Sequence, residues 1–416
     1  MRHPILTLGL VLGAIGAGAQ SVAQPARGVP TVRLAITLPD NPTTGARVFV
    51  EKGCARCHAL GGDNRRMGPD LGRIRLPGSV LDLAGAFWNH APVMREKMTD
   101  LKIARPEFND REMADLLAFL TAYRYYLAEV GGAGNPVAGR EVFRQKRCAS
   151  CHGDRDAWNL PGPSLERYRG HVSPIVLAQA MWNHGTEMAA LMRSRGLPFP
   201  QFDGGELGDL LAFLQAGTIA ADERVYVEPG SPRRGQELFA AKRCISCHVI
   251  AGQGGRGGPD LGAPERQMMR PVTAIAGSMW NHSQGMATEF ARRGIPPVRF
   301  SGQEMADIIA YLYFVNYAQV SGAPSRGQQV FTNRCAGCHT LGSASVIGPD
   351  LRVAPRLNDP IAIFTAMWNH APRMEQELRR SGVAWPRLAP GDAADLAAFL
   401  LSQRATAVPA APRPVR

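Results

Sequence analysis

The chain is short of lysine: of its 47 basic residues only five are lysines, so a formal net charge of +12 is carried by arginine. That balance reads either as a compositional bias spread over a solvated surface or as a field that steers an acidic protein or an anionic surface. No stretch resembles a nucleic-acid-binding module. Cysteine is also scarce. There are eight cysteines in 416 residues, and all eight fall into Cys-x-x-Cys pairs, so none is left for a structural disulfide. Beyond the first 23 residues no run approaches the roughly 18 apolar residues of a membrane span. The one apolar run, Ile5 to Ala19, follows Arg2 and His3 and precedes Ser21-Val22-Ala23, the layout of a secretory signal peptide over residues 1–23. The alternative for that stretch is an uncleaved membrane anchor.

Four five-residue stretches organise the rest. They are Cys54-Ala55-Arg56-Cys57-His58, Cys148-Ala149-Ser150-Cys151-His152, Cys244-Ile245-Ser246-Cys247-His248 and Cys335-Ala336-Gly337-Cys338-His339. Two thiols one turn apart add to the two vinyl groups of one haem, and the adjoining histidine reaches the iron. A Cys-x-x-Cys pair alone also suits half a zinc site or a redox dithiol. Four copies, each with histidine directly after the second cysteine, point to four covalently attached haems c. Attachment of such haems outside the bacterial cytoplasmic membrane agrees with the export signal, and the periplasm is the expected location.

The similarity extends well past the motif, which makes the chain a fourfold repeat. Each unit opens with Gly-x-x-x-Phe, at Gly45/Phe49, Gly139/Phe143, Gly235/Phe239 and Gly327/Phe331. Nine or ten residues after the motif histidine stands Gly-Pro-x-Leu, beginning at Gly68, Gly162, Gly258 and Gly348. Trp-Asn-His follows, at Trp88, Trp182, Trp280 and Trp368, and four residues past each of its histidines comes a methionine. Every unit closes on an apolar-periodic helix carrying Asp115, Asp209, Asp307 or Asp395, 25 residues after the Trp-Asn-His histidine. Breaker-rich segments around Gly131–Pro136, Glu228–Pro232 and Ser321–Pro324 read as linkers. The expected domains are 45–127, 139–220, 234–318 and 326–403, followed by an Ala/Pro/Arg-rich, disordered tail, 404–416.

A first helix with a small glycine and a phenylalanine, the haem motif, Gly-Pro-x-Leu and a closing helix together resemble the class I cytochrome c family, in each unit and hence over nearly all of 45–402. The resemblance implies an all-α fold of four tandem class I cytochrome c-like domains, each with one haem. It implies His58, His152, His248 and His339 as proximal ligands, with Pro69, Pro163, Pro259 and Pro349 backing them. In one respect the chain departs from the family. The loop before the closing helix, where that family keeps its distal methionine, reads Arg105-Pro106-Glu107-Phe108 in the first unit and holds neither Met nor His in any unit.

Only two ligand-type side chains recur outside the motif. One is Met94, Met188, Met286 and Met374; the other is His90, His184, His282 and His370. On an unbroken helix i and i+4 share a face, so either can meet the haem. Pro92 and Pro372, two residues after the histidine, suggest instead that the helix restarts there, and Gly185 and Gly285 loosen the other two units. Methionine is the first choice, because thioether ligation is the habit of this fold and a buried imidazole left unbound needs a partner. Met181, Met279 and Met367 are replaced by Phe87 in the first unit, and Met98 and Met192 by Phe290 and Leu378 in the last two, which is the pattern of core filling. His3 and His171 have no counterparts. The tryptophans read as core, with a haem-edge role as the alternative, and the four aspartates as surface or capping carboxylates.

Iron held on both axial sides exchanges electrons without hosting a substrate, and no acid–base pair or nucleophile recurs near the motifs. The expectation is an exported tetrahaem electron carrier, not an enzyme, that works between redox partner proteins, acidic or membrane-bound. The alternatives are a haem-bearing subunit of a larger periplasmic oxidoreductase and, more remotely, a conducting filament.

Overall fold

The computed structural model describes residues 29–61, 67–72, 79–131, 134–153, 160–165, 168, 173–216, 229–263, 272–344, 347–355 and 357–405, with the backbone alone at 124–131, 316 and 405. The stretch read as a signal peptide (residues 1–23), His171 and residues 406–416 lie outside them.

Four opening helices are α1 (Gly45–Glu51), α4 (Pro136–Gln145), α7 (Pro232–Ala241) and α10 (Pro324–Arg334). Prolines that read as linker breakers are in fact helix starters. Pro136, Pro232 and Pro324 occupy the first helical turn, where a missing N–H costs nothing. Asn135 and Ser231 precede two of them as side-chain caps.

Each opening helix crosses a closing one: α3 (Asp110–Gly131), α6 (Glu206–Gln215), α9 (Gly302–Ala318) or α12 (Asp392–Ala405). The crossing needs glycine, since a Cβ on Gly45, Gly139, Gly235 or Gly327 would collide with the backbone carbonyl of Asp115, Asp209, Asp307 or Asp395. Beside it the aromatic rings pair, Phe49 with Phe119 at 6.1 Å and Phe331 with Phe399 at 5.7 Å between centroids.

Between these lie the long middle helices α2 (Val80–Asp100), α5 (Pro174–Ser194), α8 (Val272–Arg292) and α11 (Pro360–Ser381). α2 and α11 run straight through Pro92 and Pro372, contrary to the restart expected there. In α11 the reason is visible. Pro372 cannot bond the Trp368 carbonyl four residues back, and Arg105 Nη2 takes that carbonyl at 3.0 Å instead.

The middle helices decide how the units assemble. α2 packs on α11 and α5 on α8, so the first unit pairs with the fourth and the second with the third. The chain is therefore nested rather than strung out. A short antiparallel pair, β1 (Val32–Leu34) with β4 (Val320–Gly322), ties the segment before the first unit to the entrance of the fourth. A second, β2 (Val249–Ile250) with β3 (Gln253–Gly254), is a local hairpin after the third motif. No helix among the described residues is long and apolar enough to cross a membrane.

Candidate haem sites

At three motifs the chain enters through a left-handed residue, Gly53 (φ 80°), Arg147 (φ 63°) or Arg243 (φ 61°), and makes a 3₁₀ turn over the first three motif residues. In all four the histidine N–H bonds the carbonyl of the first cysteine, at 2.9 Å for His58, 2.8 Å for His152, 3.0 Å for His248 and 2.9 Å for His339. This bond puts the two thiols of a motif about one turn apart. Burial pushes the thiols of Cys54, Cys148, Cys244 and Cys335 up to about 11. Such a thiol is neutral at pH 7. Among the described residues no three His, Cys, Asp or Glu side chains gather into a metal cluster.

Each motif histidine faces the proline that the resemblance assigned to it. Nδ1 lies 3.0 Å from the Pro69 carbonyl in His58, 2.9 Å from Pro163 in His152, 3.0 Å from Pro259 in His248 and 3.1 Å from Pro349 in His339. A carbonyl only accepts, so Nδ1 carries the proton and Nε2 keeps its lone pair for a metal. The glycine ahead of that proline lets the loop close on the ring. A Cβ on Gly68 would stand 2.6 Å from His58 Cε1, and one on Gly348 2.7 Å from His339 Nδ1. The loop is pinned to the motif by Gly68 N–H on the Cys57 carbonyl at 2.8 Å, and by Asp70, which accepts from Gly61 and Gly72. The residues present fit a covalently attached haem, whose iron the oriented imidazole would bind through Nε2.

On the middle helices His90, His184, His282 and His370 are all exposed. His184 Nδ1 sits 3.1 Å from Glu187, and His282 Nδ1 bonds the Ser278 carbonyl at 2.8 Å. Met94, Met188, Met286 and Met374 are half-buried, and the first, second and fourth pack against the core.

The tryptophan and asparagine beside those histidines have a role that no single-unit reading reveals. Trp88 Nε1 donates to the Pro386 carbonyl at 2.7 Å, and Trp368 Nε1 to Pro106 at 2.8 Å. Trp182 reaches Val298 at 2.8 Å and Trp280 reaches Pro200 at 2.7 Å. Each asparagine grips the backbone two residues further on, at Leu388, Phe108, Phe300 or Phe202, with its amide N–H on the carbonyl and its amide oxygen on the N–H. The loop that in the resembled family offers a distal methionine here receives the partner unit. Trp88 also packs on Trp385 and Trp368 on Phe87, both at 4.2 Å, and the Arg105 guanidinium lies 3.7 Å from the Trp368 ring. Burial pulls that guanidinium down to about 10, against the opposing pull of Glu375. Glu375 in turn pairs with Arg95 at 2.5 Å across the α2–α11 contact.

A second recurrent device joins the motif to the closing helix. Lys52 Nζ pairs with Glu112, Lys146 with Glu206 and Lys242 with Glu304, each at 2.9 Å, and Arg334 with Asp392 at 2.5 Å. The same carboxylates cap their helices by accepting from Asn109, Asp203, Ser301 and Ala389 N–H. The spacing was available in the sequence as Asn109-x-x-Glu112 and Ser301-x-x-Glu304, the capping-box signature. Asp209, Asp307 and Asp395 cap the opening helix of their own unit, accepting from Asn135, Ser231 and Ala323 N–H. Asp307 and Asp395 are buried, 1% and 5% exposed, so the surface reading fails for those two and the capping one holds. Asp115 has Arg111 at 4.0 Å, and burial pushes its carboxyl up.

A family match falls in the second half of the chain. Residues 232–314 and 324–404 each match the family model described as Cytochrome c. The Cbb3-type cytochrome c oxidase subunit FixP of Bradyrhizobium diazoefficiens is 26% identical over 173 residues, which cover 38% of this chain and 55% of that protein. The chain thus spans about half the length of that relative. No solved structure matches.

Proposed function

We propose that this chain, which belongs to the cytochrome c family through residues 232–404, is an exported tetrahaem protein that passes electrons between redox partner proteins. Family membership makes it a haem c electron-transfer protein; the number four, the periplasmic location and the ligands below are the proposal. Cys54/Cys57, Cys148/Cys151, Cys244/Cys247 and Cys335/Cys338 would hold four haems, and His58, His152, His248 and His339 would bind the iron on one side. Met94, Met188, Met286 and Met374 would bind it on the other. The half-burial of these methionines, against the exposure of the neighbouring histidines, supports the thioether choice. Bound haem supplies one-electron chemistry at iron. The protein's own residues fix the tautomer of the proximal imidazole and fold the Gly-Pro loop against the ring. The observation that carries the reading is the fourfold Nδ1-to-proline bond. It is what a metal-binding imidazole needs and what a packing histidine does not require.

The test is a haem count with near-infrared magnetic circular dichroism of the oxidised holoprotein. Four haems per chain, resistant to acidified acetone and low-spin with His/Met signatures, is the expected result. Fewer haems, or high-spin iron that binds carbon monoxide once reduced, would overturn it. A second reading, a haem-bearing subunit of a larger oxidoreductase, draws on the similarity to an oxidase subunit. Under it the protein would co-purify in stoichiometric complex with an oxidase or dehydrogenase.

A further inference from the structure

We propose that the nested latches make redox pairs: the haem pocket of the first unit is coupled to that of the fourth, and the second to the third, rather than each to its neighbour along the chain. The proposal rests on the tetrahaem reading above and deepens it. Its basis is a hydrogen-bonded route that runs from the first, third and fourth attachment segments into the distal helix of the partner unit. Lys52, two residues before Cys54, donates to the Glu107 carbonyl at 2.7 Å; the adjoining Phe108 N–H donates to Asn369 Oδ1 at 3.1 Å; and Asn369 sits on α11, which carries Met374. In return Arg334, next to Cys335, donates to the Arg387 carbonyl, and Leu388 N–H donates to Asn89 Oδ1 at 2.8 Å on α2, which carries Met94. The second pair repeats the route from Lys242 through Arg299 and Phe300 to Asn183 on α5.

The surface crossed is largely buried. Trp88, Trp368 and Trp280 are 4%, 2% and 3% exposed, and the loop residues Phe108, Phe202, Phe300 and Leu388 are buried too. A charge gained or lost at one centre is felt more strongly across such a surface than through water. Bond networks in it transmit small displacements to the helix that bears the distal ligand. The linker side offers less. Asn135, Ser231 and Ala323, the last linker residues before their units, donate to the aspartate of the unit they open, not to the unit they leave. Coupling of this kind is reciprocal, and reciprocity is what an experiment can read.

The experiment uses four full-length holoprotein variants, each lacking both thiols of one motif (C54A/C57A, C148A/C151A, C244A/C247A, C335A/C338A), with midpoint potentials and EPR signals recorded for the haems that remain. The signal each variant loses identifies its haem. The expected matrix is that loss of the fourth haem shifts the first and loss of the first shifts the fourth, with the same reciprocity between second and third. Shifts that fall on chain neighbours, or no shift at all, overturn the pairing. Where a deletion variant fails to accumulate, N89A/N369A keeps all four motifs and cuts one latch pair. It should move the potentials of the first and fourth haems and leave the other two, and uniform or absent shifts would refute the idea. A wild-type protein with four low-spin haems and the wrong matrix defeats the pairing alone. A wild-type protein with fewer haems defeats the tetrahaem reading beneath it.

Discussion

Asn89 reads the main chain of Leu388 in both directions, donating to its carbonyl at 2.7 Å and accepting from its N–H at 2.8 Å, across 299 positions of sequence. An amide side chain thus stands in for one rung of a β-ladder between two units. Asn89→Ala would leave both polar groups of a buried residue without partners, at a cost of about 1–3 kcal/mol. Trp88→Phe removes one bond and costs about 1 kcal/mol, plus part of the Trp385 contact. Denaturant unfolding of the holoprotein measures both. Changes of a few tenths would mean the latch contributes nothing to stability.

The proximal loop separates two neighbouring substitutions. In Gly68→Ala the new Cβ falls 2.6 Å from the His58 ring, so the imidazole or the loop must move. The first unit should lose its low-spin spectrum. Pro69→Ala keeps the carbonyl that holds Nδ1 and should leave the spectrum largely intact. The opposite order would show that proline's ring, not its carbonyl, supports the ligand.

On the distal side, Met94→Leu keeps the volume and removes the thioether. Its expected phenotype is one high-spin, carbon monoxide-binding haem in four, while His90→Ala leaves every haem low-spin. If His90→Ala opens the iron instead, the assignment within this i, i+4 pair reverses. Carbon monoxide titration of the reduced variants decides between them.

Acid should unfasten the motif from the closing helix. The Lys52 ammonium and the Asn109 N–H hold the Glu112 carboxyl below its usual range. For Glu206 and Glu304 burial pulls upward, yet backbone and lysine bonds prevail and both end low. A carboxyl whose folded pKa is depressed adds stability that is complete above its unfolded value, about 4.3, and vanishes as pH falls through the folded value. Stability should therefore drop below about pH 4.3, and Lys52→Met should flatten that drop. Parallel pH profiles for wild type and variant would refute it.

The two unit pairs differ at one packing position. Phe87 lies flat on Trp368 at 4.2 Å in one, whereas its counterpart Met181 lines a small cavity beside Trp280, together with Met279 and Met305, in the other. Met181→Phe should fill that space and raise stability by about 0.5–2 kcal/mol. A loss of stability in thermal unfolding would mean the site is already full.

Much of a single unit could be read from the residues. Glycine and phenylalanine in the opening helix, the attachment motif and the Gly-Pro loop act over a few residues or across one helix crossing, so their spacing survives in the linear pattern. The Lys52–Glu112 tie was missed although each half was visible, because pairing a cation with a carboxylate 60 positions away needs the crossing itself. The break expected at Pro92 and Pro372 did not occur. A proline's lost bond can be replaced from outside the helix, as Arg105 does for Trp368, and no local rule sees that donor.

Sequence alone laid out the unit: a thiol pair, an imidazole and a Gly-Pro loop recur at fixed spacing, since covalent spacing and helical period dictate those. Folding in three dimensions decided the company each unit keeps. Near-identical modules present near-identical surfaces, so the string of residues does not say whether the first should meet the second or the fourth. That choice belongs to side chains meeting across the middle helices, Arg95 with Glu375 and Phe87 with Trp368, whose complementarity exists only once the helices lie together.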